Sequence, residues 1–264
     1  MSNVPQPGLF VLSIDITLAP ETTAAATWAV AVAEHLAASR LPATWALDLA
    51  TNTELAGDLK SADAAHEIAV LADRSWAGYH AERQLVAAEL DRRVLGAAAA
   101  GQAPTTLVLS DGRVTEHVDL LLKRGITAVR TIAQSRRLDQ ANGREGWLRR
   151  WRGANAATAP VRSLRWGLWE IGRSLDLIGL RYGALARAVD QVASGGGLVH
   201  LSFDLAGLTG NVSTGLKLVD RIATQVAHLR EQRYIEALTI TELVGRLSRP
   251  RQNLPARSIL RPAA

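Results

Sequence analysis

The chain has no cysteine and a single methionine, and lysine is nearly as scarce: Lys60, Lys123 and Lys217 are the only three among 30 basic residues. Without cysteine there is no disulfide framework, no thiol nucleophile and no thiolate metal site. Phe and Tyr number only two and three, so aromatic surface must come mainly from the seven tryptophans. Long apolar runs are also missing. The Ala-rich stretch from Thr22 to Ala38 falls short of the roughly 20 residues a bilayer requires, and it contains Glu34 and His35. Residues 1–8 show no basic region ahead of an apolar run. A soluble, cytoplasmic protein is the expectation.

What is present is ordinary for a globular domain: 264 residues, 48% hydrophobic and 21% charged. Single α/β barrels routinely reach this length, so one domain is expected. The net charge of +5 is almost all arginine, a bias that a GC-rich bacterial genome produces by itself. Its placement is uneven. Arg136–Arg165 holds many arginines against Asp139 and Glu145, and 246–261 holds arginines and no acid. The first patch could dock a protein partner or an anionic surface; nucleic acid is not expected.

The stretch Ala65–Trp76 organises the reading. Glu67, Ala69 and Leu71 alternate with Ile68, Val70 and Ala72, the pattern of a buried strand, and Asp73, Arg74 and Ser75 end it with turn chemistry. Around it, strands are predicted at 9–16, 41–47, 105–109, 126–132, 161–171, 198–204 and 234–238. Helices are predicted at 20–39, 48–60, 78–95, 115–124, 176–194, 214–231 and from 239. Within the 78–95 helix, Leu85, Ala88, Leu90 and Val94 are the core candidates, and Gly125 should close the 115–124 helix. The segment 133–159 breaks the alternation and reads as a basic insertion; 249–264 reads as a flexible basic tail. Seven or eight βα units without an internal repeat predict an α/β fold with a parallel sheet closed into a distorted (β/α) barrel. A site should lie at the C-terminal strand ends, where Asp15, Asp48, Asp73, Asp111, Glu170, His200 and Asp204 fall.

The order of short motifs resembles the polysaccharide deacetylase (NodB-homology) family over about residues 9–247. Leu12-Ser13-Ile14-Asp15-Ile16 is similar to the first strand, which in that family ends in paired aspartates. Leu41-Pro42-Ala43-Thr44-Trp45, His66-Glu67-Ile68-Ala69, Leu198-Val199-His200 and Thr239-Ile240-Thr241-Glu242-Leu243 are similar to later motifs. The resemblance implies a barrel of the glycoside hydrolase/deacetylase type and a carbohydrate or amino-sugar ligand. It also implies metal-assisted removal of an N-acetyl group, with one Asp and two His holding the ion. Carried over by residue, Asp15 matches the base and His200 the acid. The ligand positions fall on Ile16, Leu71 and Ser75, which do not make a zinc site, and Leu109-Ser110-Asp111-Gly112 replaces an Arg-x-Pro-Tyr pattern.

The reading that follows is a deacetylase-like protein without metal-dependent activity, with a carbohydrate-related binding or accessory role. Two alternatives stand beside it: a hydrolase of acylated amino sugars using Asp15 and His200, and an interaction protein docking through Arg136–Arg165. Asp73, Trp76, Trp169 and Glu170 are the candidate substrate contacts, since tryptophans stack on sugar faces. No cofactor is expected, and a divalent metal such as Zn²⁺ only if Asp15, Asp73 and His200 converge through a rearranged loop. His66 is expected to be a structural hydrogen-bonding residue.

Overall fold

The computed structural model describes residues 7–17, 23–78, 80–110, 117–131, 159–177, 182–208 and 212–248. Asp111, the insertion except for Ala159, most of the Arg136–Arg165 patch and the C-terminal tail lie outside the described residues.

The first strand, β1 (Gly8–Ile16), shows how sequence pattern becomes architecture. Phe10, Leu12, Ile14 and Ile16 point outward into the main core, while Val11, Ser13 and Asp15 point to the barrel interior. The same alternation holds in β2 (Thr44–Leu47), β3 (Glu67–Ala72) and β4 (Thr106–Leu109). Trp45, Val70 and Leu107 face out, and Ala46, Ala69, Leu71 and Val108 cluster on the inner side.

These strands, with β5 (Ala128–Thr131), run parallel in the order β5-β4-β3-β2-β1, and β9 (Leu198–Asp204) follows β1. Strand β7 (Trp169–Gly172) pairs with β5, and β8 (Leu175–Asp176) pairs with β9. Because β7 and β8 are two pieces of one extended run, that run joins the two sides of the sheet and completes a distorted (β/α) barrel. Only β6 (Val161–Ser163) runs antiparallel among the described strands, against β7.

The 161–171 segment is therefore a hairpin and not the single strand its β-rich composition predicts. Trp166 and Gly167 adopt left-handed backbone, with φ of 58° and 85°, and reverse the chain. Trp166 ends up 69% exposed at this turn. The predicted helix at 176–194 starts later, because Asp176 still belongs to β8.

Helices α1 (Thr23–Ala38), α2 (Thr53–Ala62), α4 (Arg83–Ala99), α5 (Val118–Lys123), α6 (Tyr182–Gly195) and α8 (Val212–Glu231) wrap the outside; α3 (Arg74–Ala77) and α7 (Leu205–Leu208) are single turns. Gly125 (φ 79°) closes α5, its N–H reaching the Leu122 carbonyl while the Ile126 N–H reaches that of Leu121. In α4 the buried positions are Val86, Leu90, Arg93 and Ala97, and Leu85 is exposed. Of the expected core positions Leu90 is fully buried and Val94 packs against the core, whereas Leu85 and Ala88 are exposed and Arg93 takes an inward position usually left to apolar residues.

The lower end of the barrel is sealed. Strand β10 (Ile235–Leu238) shares one edge of β1 with β2, pairing with residues 8–11 while β2 takes 13–16. It delivers α9 (Ile240–Ser248), whose Ile240, Leu243 and Val244 pack inside with Val11, Ala128, Ile171 and Leu198. The Glu67 carboxylate anchors this plug. It accepts from the Thr44 hydroxyl (2.8 Å), the Thr106 hydroxyl, the Thr241 N–H (3.0 Å) and the Thr241 hydroxyl (2.7 Å). Only the C-terminal end of the barrel is left for a site.

Candidate functional site

At that end, strands β1, β9 and β5 bring six inward side chains together. Across the β1–β9 pair, Ser13 lies opposite Ser202 and Asp15 opposite Asp204. His200, two residues before Ser202, faces the same interior. From the far side of the barrel comes Arg130, in the middle of β5 and 1% exposed.

The Arg130 guanidinium bridges β1: one NH₂ group donates to Asp15 Oδ2 and the other to Ser13 Oγ at 2.8 Å. Ser13 Oγ is in turn 2.8 Å from His200 Nε2, and His200 Nδ1 is 3.0 Å from the Gly172 carbonyl. The Gly172 carbonyl only accepts, so His200 Nδ1 carries a proton; with burial and the Arg130 charge keeping the ring neutral, Nε2 is left to accept from Ser13. Arg130 donates to Ser13, Ser13 donates to His200 Nε2, and His200 Nδ1–H donates to Gly172. His200 is thus a neutral imidazole with both nitrogens engaged. Burial, followed by the nearby Arg130 charge, pushes its pKa down to about 3.

Asp15 has a different environment. Its side chain is 13% exposed, and burial raises its pKa against the lowering pull of Arg130. The opposite carboxylate, Asp204, adds to the rise; it accepts from the Thr17 hydroxyl (2.6 Å) and from the Ala206 N–H (3.0 Å). Oδ1 of Asp15 is buried and has no hydrogen-bond partner among the described residues, and the same is true of Ser202 Oγ and Arg130 Nε. Arg173, 2.7 Å from Asp176, supplies a second positive charge to the neighbourhood. Gly172 is required for close approach: a Cβ there would lie 2.5 Å from Pro160 Cγ.

The other residues singled out in the sequence lie elsewhere. Asp73 stands at the rim where β3 ends, but its Oδ1 caps α3, accepting from the Ser75 N–H (2.8 Å) and hydroxyl (2.5 Å). Trp76 is 2% exposed in the outer core, its ring under the Arg93 guanidinium at 4.5 Å, and Arg93 pairs with Asp48. Trp169 packs near the sealed end and donates from Nε1 to Ser248 Oγ at 3.0 Å. Glu170 projects from the other face of β7, held by Arg162 and by the Thr131 hydroxyl at 3.0 Å. His66 is fully buried between Ala43 N–H and the Ala33 carbonyl, each at 3.2 Å. The structure joins Asp15 and His200 through Arg130 and Ser13 and brings neither tryptophan to them.

A metal ion does not fit this donor set. Ile16 packs in the outer core, Leu71 belongs to the apolar inner wall, and Ser75 serves the Asp73 cap. Among the described residues no group of three or more His, Cys, Asp or Glu side chains converges.

Arg130, Ser13 and Ser202 escape a sequence search built on acids and histidines. One signal was available: a lone arginine in the apolar run Ile126–Ile132 must find a buried acceptor, and Asp15 in its own apolar run must find a donor.

No family model matches the sequence, and no curated protein matches it. Solved structures do. The chain superimposes on a candidate polysaccharide deacetylase from Mycobacterium smegmatis with a TM-score of 0.65 at 14% identity, covering 100% of this chain and 97% of that one. A CE4 family pseudoenzyme from Bacillus anthracis matches with a TM-score of 0.53 at 14% identity, over 91% and 66% of the two chains. A 4-alpha-glucanotransferase from Thermococcus litoralis gives 0.59 at 12% identity, over 91% and 40%. The fold is that of the polysaccharide deacetylases, a (β/α) barrel shared by active members and by pseudoenzymes.

Proposed function

We propose that the chain is a deacetylase-like protein of bacterial carbohydrate metabolism that binds a sugar or amino-sugar ligand at the open barrel end without metal-dependent deacetylation. The carrying observation is Asp15: its Oδ2 is held by Arg130, its Oδ1 is buried and lacks a partner among the described residues, so a ligand would reach it by displacing what covers it, and no metal-ligand set stands beside it among those residues. A lone carboxylate oxygen suits a hydroxyl or amine donor. A cytoplasmic setting belongs to the same proposal; among the described residues no helix is long and apolar enough to cross a membrane.

The alternative of a working hydrolase keeps Asp15 as base and His200 as acid. It is weakened by His200, which is fully buried, holds a proton only on Nδ1 and donates it to Gly172. Docking through Arg136–Arg165 rests on the sequence alone.

Calorimetric titration with an N-acetylated chito-oligosaccharide and with a glucan of equal length tests the proposal, alongside an acetate-release assay with Zn²⁺, Mn²⁺ or Co²⁺. Binding is expected for at least one sugar, weakened about tenfold in Asp15→Asn through loss of a charge-assisted hydrogen bond, with no acetate released. Metal-dependent acetate release, or binding indifferent to Asp15→Asn, would overturn it.

A further inference from the structure

We propose that the sealed end of the barrel is a docking face for an anionic lipid surface, with Trp166 as its apolar anchor. The face lies opposite the open end and does not depend on a sugar bound there.

Trp166 turns the β6–β7 hairpin in left-handed backbone, φ 58° and ψ 28°, where glycine or asparagine sits easily and a bulky side chain costs stability. The same residue leaves 69% of its surface in water. A ring this exposed does not repay that cost by packing. Nor are the exposed apolar groups scattered over the molecule. Five large apolar side chains are exposed among the described residues, and four of them, Leu95, Trp166, Tyr234 and Leu247, belong to the sealed end. Leu95 stands in the last two turns of α4, which runs down towards the start of β4. Tyr234 directly precedes β10, and its carbonyl accepts from the Gly8 N–H at the start of β1. Leu247 is next to the last residue of α9.

Positive charge adjoins this apolar rim. Arg162 and Arg246 already pair with Glu170 and Glu236. Ser248, however, is where the described chain ends, and its hydroxyl accepts from Trp169 Nε1, three residues along from Trp166. The sequence that follows carries Arg249, Arg251, Arg257 and Arg261 and no acid as far as 261. An indole and leucines beside a run of arginines match the headgroup region of an acidic bilayer, where apolar groups enter the interface and cations meet phosphate. A nucleic acid would use the arginines and leave Leu95 and Leu247 without a partner. Apolar insertion and basic charge each hold a bilayer weakly, and together they make a stable contact.

The full chain is sedimented with vesicles of phosphatidylcholine alone and of phosphatidylcholine mixed equally with phosphatidylserine, with duplex DNA as the competing polyanion. Partition onto the mixed vesicles should exceed that onto phosphatidylcholine by about tenfold or more and should fade as salt rises. Trp166→Asn should weaken it about tenfold while Tm holds or rises, since asparagine accepts left-handed backbone more readily. Changing Arg249, Arg251, Arg257 and Arg261 together to Gln should erase the preference for acidic vesicles. Absence of vesicle binding, or binding indifferent to either set of substitutions, would overturn the proposal. So would a Tm several degrees lower in Trp166→Asn, which would make the ring a structural element. Retention on DNA without vesicle binding would assign the face to nucleic acid and overturn it equally. A chain that binds acidic vesicles but no sugar would sink the proposed function and leave this docking face standing.

Discussion

Two carboxylates point into the same barrel from opposite ends, and their surroundings differ in kind. Glu67, at the sealed end, is met by neutral donors on β2, β4 and α9, which take up both of its oxygens. Asp15, at the open end, is met on one oxygen by a guanidinium and on the other by nothing among the described residues. The first arrangement ties three strands and a helix into one unit and has no acceptor to spare. The second fixes a carboxylate and leaves it unfinished. A buried acceptor without a partner costs stability, and the proposed ligand contact would supply one.

The sharpest break in this comparison is at the sealed end. Replacing Glu67 with Ala strands the buried Thr44 and Thr106 hydroxyls, frees the exposed Thr241 donors and uncouples α9 from β3. Unfolding free energy from urea titration should fall by about 3 kcal/mol, with ligand binding unchanged in the surviving folded fraction. A loss under about 1 kcal/mol would mean that water replaces the carboxylate and that this end is less closed than its packing indicates.

The sequence shows these two ends unequally. Alternation in LFVLSIDI marks the inward Ser13 and Asp15, and the apolar–polar rhythm of Ala65–Trp76 places β3 and the rim correctly. The partner of Asp15 is invisible in one dimension, because Arg130 lies 115 positions away and meets it only after the barrel closes. Trp76 and Trp169 illustrate another limit. An indole reads equally as a sugar platform or as core, and here an Arg93 cation over one ring and a Ser248 hydroxyl on the other assign both to packing. The hairpin at 161–172 was hidden because its reversal depends on left-handed backbone at a tryptophan, a residue that rarely signals a turn. Asp15 and His200 were legible as residues, and the wiring between them was not.

That wiring has a pH signature of intermediate size. His200 is held neutral in the fold with a pKa near 3, against an ordinary value of 6.5. Between those limits the unfolded chain binds a proton that the folded chain refuses. Stability is therefore flat above the ordinary histidine range and falls as pH drops beneath it. One such histidine contributes a slope of about 1.4 kcal/mol per pH unit once its unfolded form is fully protonated. His66, lowered by its own burial, adds in the same sense. Asp15, raised by burial, opposes them, since the folded state keeps its proton where the unfolded state has lost it. Subtraction isolates the His200 share: His200→Asn should reduce the slope near pH 5 by about one proton. An unchanged slope would mean that His200 is protonated in the fold and that the Arg130–Ser13–His200 direction is wrong.

The smallest effect separates the open end into a working side and a supporting side. Asp73 sits on the rim at the end of β3, two strands from Asp15, and its Oδ1 holds the first turn of α3 through Ser75. If that cap is its task, Asp73→Ala should cost about 1 kcal/mol of stability and leave sugar affinity close to wild type. If the ligand instead reaches across from β1 to β3, it must draw Asp73 away from Ser75, and Asp73→Ala would weaken binding as Asp15→Asn does. Calorimetry on the two variants side by side decides between these cases. The geometry favours the first, because Ser75 already donates twice to Asp73 Oδ1 while nothing among the described residues donates to Asp15 Oδ1.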